Sequence, residues 1–284
     1  MHTQKRIELP QGPIHYRDVG SGPPLVFVHG LLVDGALWEP VVERLSATHR
    51  CIVPDWPLGS HREAMREDAD LSPHGMAKLI SDFIGAIGLE HVTLVGNDSG
   101  GALSQMVAAR HPERVSALVL TTCDAFEVFP PAAFKYLLLA ARVPGVMWML
   151  GLTLRLVPPL QRLPLAYGAL TKKRLPAELL SRWAAPSADA GVRRDVGKFM
   201  RGIRASELVA AAEALRGFNK PVLLAWTPED RFFPVSLAHR LKEVMPHARL
   251  ELIEDAKVFV ALDQPERLAW VIEGFTATKG AAAA

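Results

Sequence analysis

The segment LVGNDSGGALSQ, residues 94–105, places an acid and an alcohol side by side between glycines. Asp98 has a glycine two residues before it and another two residues after it, whereas Ser99 has Asn97 at the first of these positions. Small flanking residues allow a strand to turn sharply into a helix while one side chain is held out at the turn, the geometry of a nucleophile elbow. The spacing therefore favours Asp98 over Ser99 as the reacting residue.

An aspartate at such a turn indicates a specific chemistry. A carboxylate attacks an electrophilic carbon and forms an ester with the protein, and activated water then hydrolyses that ester while backbone N–H groups hold the oxyanion. The N-terminal N–H groups of the following helix stabilise negative charge at the same point. An aspartate that merely caps a helix is the structural alternative. Two glycine flanks exceed what a cap requires.

Strand-like segments must position this turn, and eight of them alternate with helical patterns along the chain. They are RIEL, IHYRDV, LVFVHG, CIVPDW, VTLVG, VSALVLTT, PVLLAW and ARLELIE. Helical spacing follows over 36–47, 72–87 and 264–274. Unbroken apolar strands that alternate with helices predict an α/β fold, with a mostly parallel eight-stranded sheet covered by helices on both faces.

The stretch from about Phe126 to Ala205 interrupts this alternation, because it contains helical segments but no strand-like one. We expect a helical cap or lid at 126–205, inserted after the sixth strand. The core then consists of 1–125 and 206–278, and 279–284 form a disordered tail. The apolar middle of the insertion is interrupted by Arg142, Pro144 and Arg155, so a lid over a pocket is favoured over a membrane span. An ordinary helical core is the alternative.

Composition limits the partners that we expect. The net charge is +2 and half of the residues are apolar, which favours a small-molecule substrate over nucleic acid or a membrane. Two cysteines and no cysteine–histidine cluster predict neither a disulfide framework, nor a metal site, nor a cofactor. The N-terminus lacks the apolar segment of a signal peptide, so we expect a cytoplasmic protein. A homodimer remains open.

Four segments together resemble the α/β-hydrolase fold superfamily over nearly the whole chain. They are His29-Gly30, the elbow around Asp98, Trp226-Thr227-Pro228-Glu229-Asp230, and Asp263-Gln264-Pro265-Glu266-Arg267. A central aspartate is similar to epoxide hydrolases and haloalkane dehalogenases, whereas serine is typical of esterases and lipases. The resemblance implies that the N–H groups of Leu31 and Ser99 hold the oxyanion. It implies Asp230 as the acid that orients a histidine, with Asp124 as a second candidate.

The histidine itself is missing from its usual place. The superfamily has it in a segment similar to I-x-x-A-G-H-F, and here residues 253–259 read IEDAKVF, which puts Val258 at that position. Valine neither accepts nor donates a proton. His29 belongs to the loop motif, where the resemblance implies that it shapes the loop. His61 follows the fourth strand at the same end of the sheet as Asp98 and is a candidate base, although a solvated loop histidine is the alternative.

Asp98, Asp124 and Asp230, together with Glu127, are expected to lie near one site. Clustered carboxylates raise one another's pKa, and a carboxylate of raised pKa can act as a general acid or base. The sequence therefore predicts a hydrolase acting on a small apolar electrophile, an epoxide or activated ester, with Asp98 as nucleophile or base. A cofactor-independent lyase or isomerase that uses the acids for proton transfer is the first alternative. A non-catalytic ligand-binding relative is the second.

Aromatic and apolar side chains are expected to form the substrate pocket. Trp in the position of Ser99 is usual in haloalkane dehalogenases, so its absence disfavours dehalogenation. Epoxide hydrolases polarise the ring oxygen with lid tyrosines, and Tyr136 and Tyr167 are the tyrosines of the insertion. The predicted pocket residues are His29, Trp38, Trp56, Phe126, Tyr136, Trp148, Tyr167 and Val258.

Overall fold

A computed structural model describes residues 4–143, 145–245 and 247–282, and its centre is one eight-stranded sheet. The strands are β1 (Gln4–Leu9), β2 (Gly12–Val19), β3 (Pro24–Val28), β4 (Arg50–Pro54), β5 (Val92–Asp98), β6 (Val115–Cys123), β7 (Val222–Trp226) and β8 (Ala248–Leu252). Their order across the sheet is β1-β2-β4-β3-β5-β6-β7-β8. β2 pairs antiparallel with β1 and β4, and the other strands are parallel. The predicted fold class is confirmed.

Strand β5 lies in the middle of the sheet, between β3 and β6. Every residue from Val92 to Asn97 is buried, because helices cover the sheet on both faces. This burial explains the continuous apolar sequence, since a central strand of a parallel sheet has no face exposed to solvent. Asp98, the last residue of β5, is thus the one charged residue of this strand, and it follows directly on the buried run.

Eleven α-helices are described outside this sheet. Nine of them lie in the connections between strands, and two follow β8. The helices are α1 (Glu39–Leu45), α2 (Pro73–Ala86), α3 (Ser99–Arg110), α4 (Lys135–Ala140), α5 (Val146–Leu156), α6 (Ala177–Ala184), α7 (Ala190–Gly202), α8 (Ala205–Ala214), α9 (Val235–Val244), α10 (Val260–Asp263) and α11 (Pro265–Ala282). α1 packs with α10 and α11, and α3 packs with α2 and α8. α3 also packs on β5 and β6, so the helix that follows Asp98 is fixed against the core.

Helices α4–α7 follow β6 and precede α8, within the range that the sequence predicts as a helical insertion. We call residues 126–205 the insertion. Pro144, one of the residues expected to interrupt a membrane span there, lies outside the described residues. Among the helices that are described, none is long and apolar enough to cross a membrane. The tail predicted from residue 279 overlaps the end of α11, and residues 283 and 284 lie outside the described part.

The glycine after the elbow provides a test of this packing. A Cβ at Gly100 would lie 2.2 Å from the Val28 carbonyl oxygen and 2.5 Å from that of His29, whereas a Cβ at Gly274 in α11 would meet nothing within 4 Å. We expect Gly100→Ala to lower the free energy of unfolding by about 2 kcal/mol or more, because backbone must move. Gly274→Ala is the matched control and should raise it by about 0.5–1 kcal/mol. Urea denaturation measures both, and equal effects of the two substitutions would contradict this account of the elbow.

Candidate active site

The backbone at Asp98 has the strained conformation of an elbow. Its φ of 53° and ψ of −133° lie in a region that residues with a side chain rarely adopt. The turn is held because α3 begins at once with Ser99 and because neighbouring glycines allow close packing. A Cβ at Gly96 would lie 2.4 Å from Ser104 Oγ. No side-chain hydrogen bond from Asp98 caps α3, which argues against the capping alternative.

Backbone N–H groups hold the Asp98 carboxylate on one side. The N–H of Leu31 donates to Asp98 Oδ2 at 3.3 Å, and the N–H of Ser99 also stabilises the carboxylate. These are the two donors that the resemblance implies. Because they bind the carboxylate itself, they lie where negative charge would develop on an ester formed at Asp98.

Gly30 is a site residue to which the sequence analysis assigned no role. A Cβ there would lie 2.1 Å from Asp98 Oδ2, so any side chain would displace the carboxylate. The signal was present in the sequence, since Gly30 follows the apolar strand that ends at Val28. Pairing of Val28 with Gly96 brings that strand end beside the elbow, and this register is not visible in the sequence.

Three carboxyl groups are buried near one another, and none of them forms an ion pair within the described residues. Burial, with a smaller contribution from the charge of Asp230, raises the pKa of Asp98 to about 7. The Ser99 and Leu31 N–H groups act in the opposite direction. Burial and the charge of Asp98 raise the pKa of Asp124 well above its ordinary value. Neither oxygen of Asp124 has a hydrogen-bond partner of normal geometry among the described residues, although the nearby Ser99 hydroxyl favours its ionised form.

Asp230 is bound by backbone groups. Its Oδ1 accepts from the N–H groups of Phe232 at 2.8 Å and Phe233 at 2.7 Å, and the Val258 N–H also favours the charged form. Burial nevertheless raises the pKa of Asp230, and its Oδ2 has no partner among the described residues. Val258 thus lies beside the acid that the resemblance implies would orient a histidine, and its buried side chain offers no proton acceptor.

Asn97, to which the sequence analysis assigned no role, holds the end of β6 and the Val258 loop in place beside the carboxyl groups. Its Nδ2 donates to the carbonyl oxygens of Thr121, Thr122 and Val258 at 3.0, 3.2 and 2.7 Å. One amide therefore joins the end of β6 to the loop that carries Val258. No pattern in the sequence indicates these partners, because they are backbone groups from distant segments.

Glu127 does not join the carboxylate cluster, so this expectation is wrong. Its side chain is exposed and pairs with Arg240 through two hydrogen bonds, at 2.6 and 2.9 Å. The pairing lowers the pKa of Glu127 to about 2. A carboxylate has a lower energy in a solvent-exposed ion pair with arginine than in a site that already contains three buried carboxyl groups.

His61 is not part of the cavity wall at Asp98. It is buried, and its Nε2 lies 3.3 Å from Asp195 Oδ2 in helix α7 of the insertion, while its Nδ1 accepts from the Gly59 N–H at 3.4 Å. Asp195 Oδ2 also accepts from the Met65 N–H at 2.6 Å. His61 therefore joins the loop after β4 to the insertion, and its assignment as the base has no support in this geometry.

An apolar cavity of about 110 Å³ lies above Asp98 and Ser99, between the core and the insertion. Its other walls come from the loop after β3, from α4 and the residues before it, from α5 and from residues 165–170. The lining residues include Leu31, Tyr136, Leu154, Leu165 and Tyr167. An apolar site with a few converging polar groups is the usual character of a small-molecule site.

Only Tyr136 and Tyr167 of the eight predicted pocket residues line this cavity. Trp38, Trp56, Val258 and His29 are fully buried in the core instead. His29 Nδ1 lies 2.9 Å from the Gly30 carbonyl oxygen and its Nε2 accepts from the Trp56 N–H at 2.8 Å, so His29 shapes the loop. The ring of Phe126 is covered by the Arg240 guanidinium, 4.0 Å from its centre, and Trp148 is about half exposed. Large apolar side chains fill the core, and their type alone does not separate core from pocket.

The two tyrosine hydroxyls are already engaged. Tyr136 donates to the Leu165 carbonyl oxygen and Tyr167 to that of Leu32, both at 2.6 Å. Each proton is therefore directed at backbone rather than free for a substrate oxygen. Burial also raises the pKa of Tyr167 beyond its ordinary range.

Comparison with known proteins identifies the family. Residues 23–265 match the model of the α/β-hydrolase fold family, and the chain belongs to that family. It is 28% identical over 277 residues to haloalkane dehalogenase 2 of Mycobacterium tuberculosis (strain ATCC 25618 / H37Rv), covering 92% of this chain and 91% of that protein. A cis-3-alkyl-4-alkyloxetan-2-one decarboxylase of Shewanella oneidensis is 28% identical over 279 residues, covering 92% and 84%. A solved structure of an epoxide hydrolase superposes with a TM-score of 0.81 at 18% identity, covering 98% of this chain and 99% of that one, and so shares the fold.

The raised pKa of Asp98 makes stability depend on pH. Between about 4, the value in an unfolded chain, and about 7 in the folded protein, the unfolded chain releases a proton that the folded protein retains. The free energy of unfolding therefore falls as pH rises through this range and stays lower above it. We expect Asp98→Asn to be more stable than the unsubstituted protein at pH 8, by about 1.4 kcal/mol for each unit by which the pKa is raised. The difference should disappear near pH 4.

Asp18→Asn is a control of opposite sign for this measurement. Hydrogen bonds and charge from Arg50 and Lys5 lower the pKa of Asp18 to about 2. This substitution should therefore destabilise the protein at pH 8, with a difference that shrinks as pH falls from about 4 to about 2. Urea denaturation between about pH 2 and 8 compares the two variants. A loss of stability in Asp98→Asn at pH 8 would refute the assignment of a strained, desolvated carboxylate.

Proposed function

We propose that this α/β-hydrolase-fold enzyme hydrolyses a small, largely apolar electrophile, and that the Asp98 carboxylate is its nucleophile toward an epoxide. One observation carries the proposal: a carboxylate stands at a strained turn in the wall of an apolar cavity, with one oxygen held by the Leu31 N–H at 3.3 Å. A binding pocket for an apolar ligand has no need of a desolvated acid at its base. An acid that is costly to keep there is typical of a reacting group.

The first step follows from the state of Asp98. With a pKa of about 7, a large fraction of this carboxyl group is ionised at neutral pH, and desolvation leaves it poorly stabilised and therefore reactive. A bond forms between a carboxylate oxygen and a ring carbon of the epoxide as the carbon–oxygen bond of the ring breaks. The released alkoxide must receive one proton.

Asp124 and Ser99 are suited to supply that proton and to take one back. The raised pKa of Asp124 favours its protonated form, and Ser99 is both a neighbour of this buried acid and a lining residue of the cavity. Asp124 protonates the alkoxide through Ser99 and becomes a carboxylate. It then accepts a proton from the water that attacks the ester carbonyl, while the Leu31 and Ser99 N–H groups hold the oxyanion. Collapse releases the diol and restores both acids, so that Asp124 replaces the missing histidine.

Activated esters are the second substrate class of this proposal, with a different role for Asp98. Attack of a carboxylate on an acyl carbon would give an anhydride, which is a less favourable intermediate than direct addition of water. Toward an ester, Asp98 therefore acts as a base on water. Epoxides therefore test Asp98 as a nucleophile, and activated esters test the same side chain as a base.

Opening of a strained lactone is a second candidate function. It is favoured by the 28% identity to the oxetanone decarboxylase and by carboxylates that stand without a histidine. A 3,4-dialkyl-oxetan-2-one that loses carbon dioxide gives an alkene and consumes no water. The products therefore distinguish this lyase from the hydrolase.

Single-turnover experiments in water labelled with oxygen-18 test the role of Asp98. With enzyme in excess over a lipophilic epoxide, we expect the label in the Asp98 carboxyl group, because water attacks the ester carbonyl and the diol takes its oxygen from the enzyme. Mass spectrometry of the proteolytic peptide measures the label. Asp98→Asn should reduce turnover by at least about 10³-fold, with Asp18→Asn as a control that keeps activity. Label found first in the diol would show a base instead of a nucleophile, and binding without product would overturn the proposal in favour of a receptor.

Substitutions around the cavity test the proton route. Ser99→Ala keeps the backbone N–H but removes the hydroxyl, and Asp124→Asn removes the acid. We expect both variants to hydrolyse the ester intermediate about 10²-fold more slowly or worse, the usual contribution of a general base, so that the Asp98 adduct accumulates in the mass spectrum. Tyr136→Phe and Tyr167→Phe should change turnover by less than about fivefold, since one backbone hydrogen bond is lost in each. A large loss of turnover confined to the tyrosine variants would contradict this route, because a tyrosine of the insertion would then supply the proton.

A further inference from the structure

The insertion contains a long segment of one charge sign. Residues 128–177 carry seven basic side chains and no acidic one, although the net charge of the whole chain is only +2. The basic residues are Lys135, Arg142, Arg155, Arg162, Lys172, Lys173 and Arg174. This segment therefore contributes a charge of +7, which the small net charge of the whole chain conceals.

The same segment exposes large apolar side chains. Of the twelve large apolar residues that are exposed among the described residues, nine lie between positions 136 and 165. Helix α5 has no buried residue at all, although its sequence VMWMLGLTLRL is strongly apolar. We define the apolar surface by its most exposed members, Leu139, Trp148, Met149, Leu156, Leu163 and Leu165. Exposure of this kind marks an interaction site.

Hydrogen bonds connect these residues into one surface. Tyr136 at the start of α4 donates to the Leu165 carbonyl oxygen at 2.6 Å, and Gln161 Nε2 donates to the Leu154 carbonyl oxygen at 2.9 Å. The turn at 158–168 is thereby attached to both α4 and α5. Leu154 and Leu165 also line the cavity above Asp98, and Leu165 is exposed, so the cavity wall and the apolar surface share residues.

Unpaired cations border the apolar surface. Lys135, Arg142, Arg155 and Arg162 are exposed and form no ion pair within the described residues, whereas Lys172 pairs with Glu229 and Asp255. Cations beside exposed Trp and Leu side chains complement the anionic headgroups and the acyl region of a lipid bilayer. A second copy of the chain fits less well, since a symmetric contact would bring the same cations together.

We propose that the apolar surface and its basic border bind the face of an anionic lipid bilayer, without a spanning segment. This peripheral contact replaces the expectation of no membrane partner, which rested on net charge and on the absence of a continuous apolar span. Bound in this way, the protein presents the cavity above Asp98 to the lipid phase, from which an apolar compound can enter. The proposal goes beyond the proposed function and does not depend on catalysis.

Co-sedimentation with vesicles tests the charge requirement. We expect the unsubstituted protein to bind vesicles of phosphatidylcholine with phosphatidylglycerol, and to bind vesicles of phosphatidylcholine alone at least tenfold more weakly. Arg155→Glu with Arg162→Glu should weaken binding by about fivefold or more for each residue, since one basic residue near an anionic surface contributes about 1 kcal/mol. Lys242→Glu with Arg110→Glu makes the same charge change at exposed positions outside the insertion and is the matched control. High salt should weaken binding in the same way as the Arg substitutions.

Tryptophan fluorescence tests the orientation. Trp38, Trp56, Trp183 and Trp226 are buried, and only Trp148 in α5 and Trp270 in α11 are exposed. We expect a blue shift on addition of the anionic vesicles that Trp148→Phe removes and Trp270→Phe keeps. Both positions lie on exposed helix faces, and circular dichroism checks that each variant is folded.

Three results would overturn the proposal. The first is equal binding to both kinds of vesicle, and the second is an equal loss in the Arg110/Lys242 control. The third is a stable dimer in solution, seen by light scattering, that buries Trp148 and is unaffected by lipid. Hydrolytic activity in solution with none of the predicted lipid binding would reject this inference and leave the proposed function intact, so the two fail separately.

Discussion

The site depends on burial of carboxyl groups that form no ion pair with any of the residues the structure describes. A carboxylate in a poorly solvated place loses the water that stabilises its charge, and the usual remedies are protonation, a basic partner or donated hydrogen bonds. At Asp98 the Leu31 and Ser99 N–H groups donate hydrogen bonds to the carboxylate, and burial still raises its pKa to about 7. Burial and the charge of Asp98 likewise raise the pKa of Asp124. In both acids, burial therefore favours the protonated form over the ionised one.

We propose that these two acids substitute for the missing imidazole. In a triad, a histidine takes a proton at one stage and returns it at another. Here Val258 lies beside Asp230, and backbone N–H groups satisfy one oxygen of that acid instead of an imidazole. In the function that we propose, the pair of Asp98 and Asp124 transfers the proton, with Ser99 as a neighbour of Asp124 and a lining residue of the cavity. A departure from a family pattern at one residue thus changes which neighbour has to titrate near neutral pH.

The insertion supplies the opposite kind of environment on the same molecule. Its helices offer leucine side chains to the cavity on one side, and α5 also exposes apolar side chains to solvent on the other. A helix that is apolar all round is stable only if both sides find apolar surroundings. One side of α5 packs against its neighbours in the protein and lines the cavity. From the basic border we infer that an anionic lipid surface contacts the other side.

The elements followed from sequence because strand and helix patterns are local. Eight apolar segments, the elbow glycines and the order of the four motifs were enough to predict the sheet, the family and the position of Asp98, and the donors Leu31 and Ser99 came with the resemblance. The pocket residues were predicted poorly. Tryptophan and phenylalanine fill a core as readily as they line a cavity, so Trp38 and Trp56 were indistinguishable by type from true lining residues.

Tertiary structure alone decided the partners. The register of β3 with β5 puts Gly30 against Asp98, Asn97 reaches the carbonyl oxygens of three residues far along the chain, and Arg240 removes Glu127 from the carboxylate cluster. His61 faces Asp195 for the same reason. Local sequence encodes which backbone shapes a segment prefers, and this determined that an acid would stand at a tight turn. A pKa depends on everything within several ångströms, and those neighbours meet only when distant segments of the chain fold together.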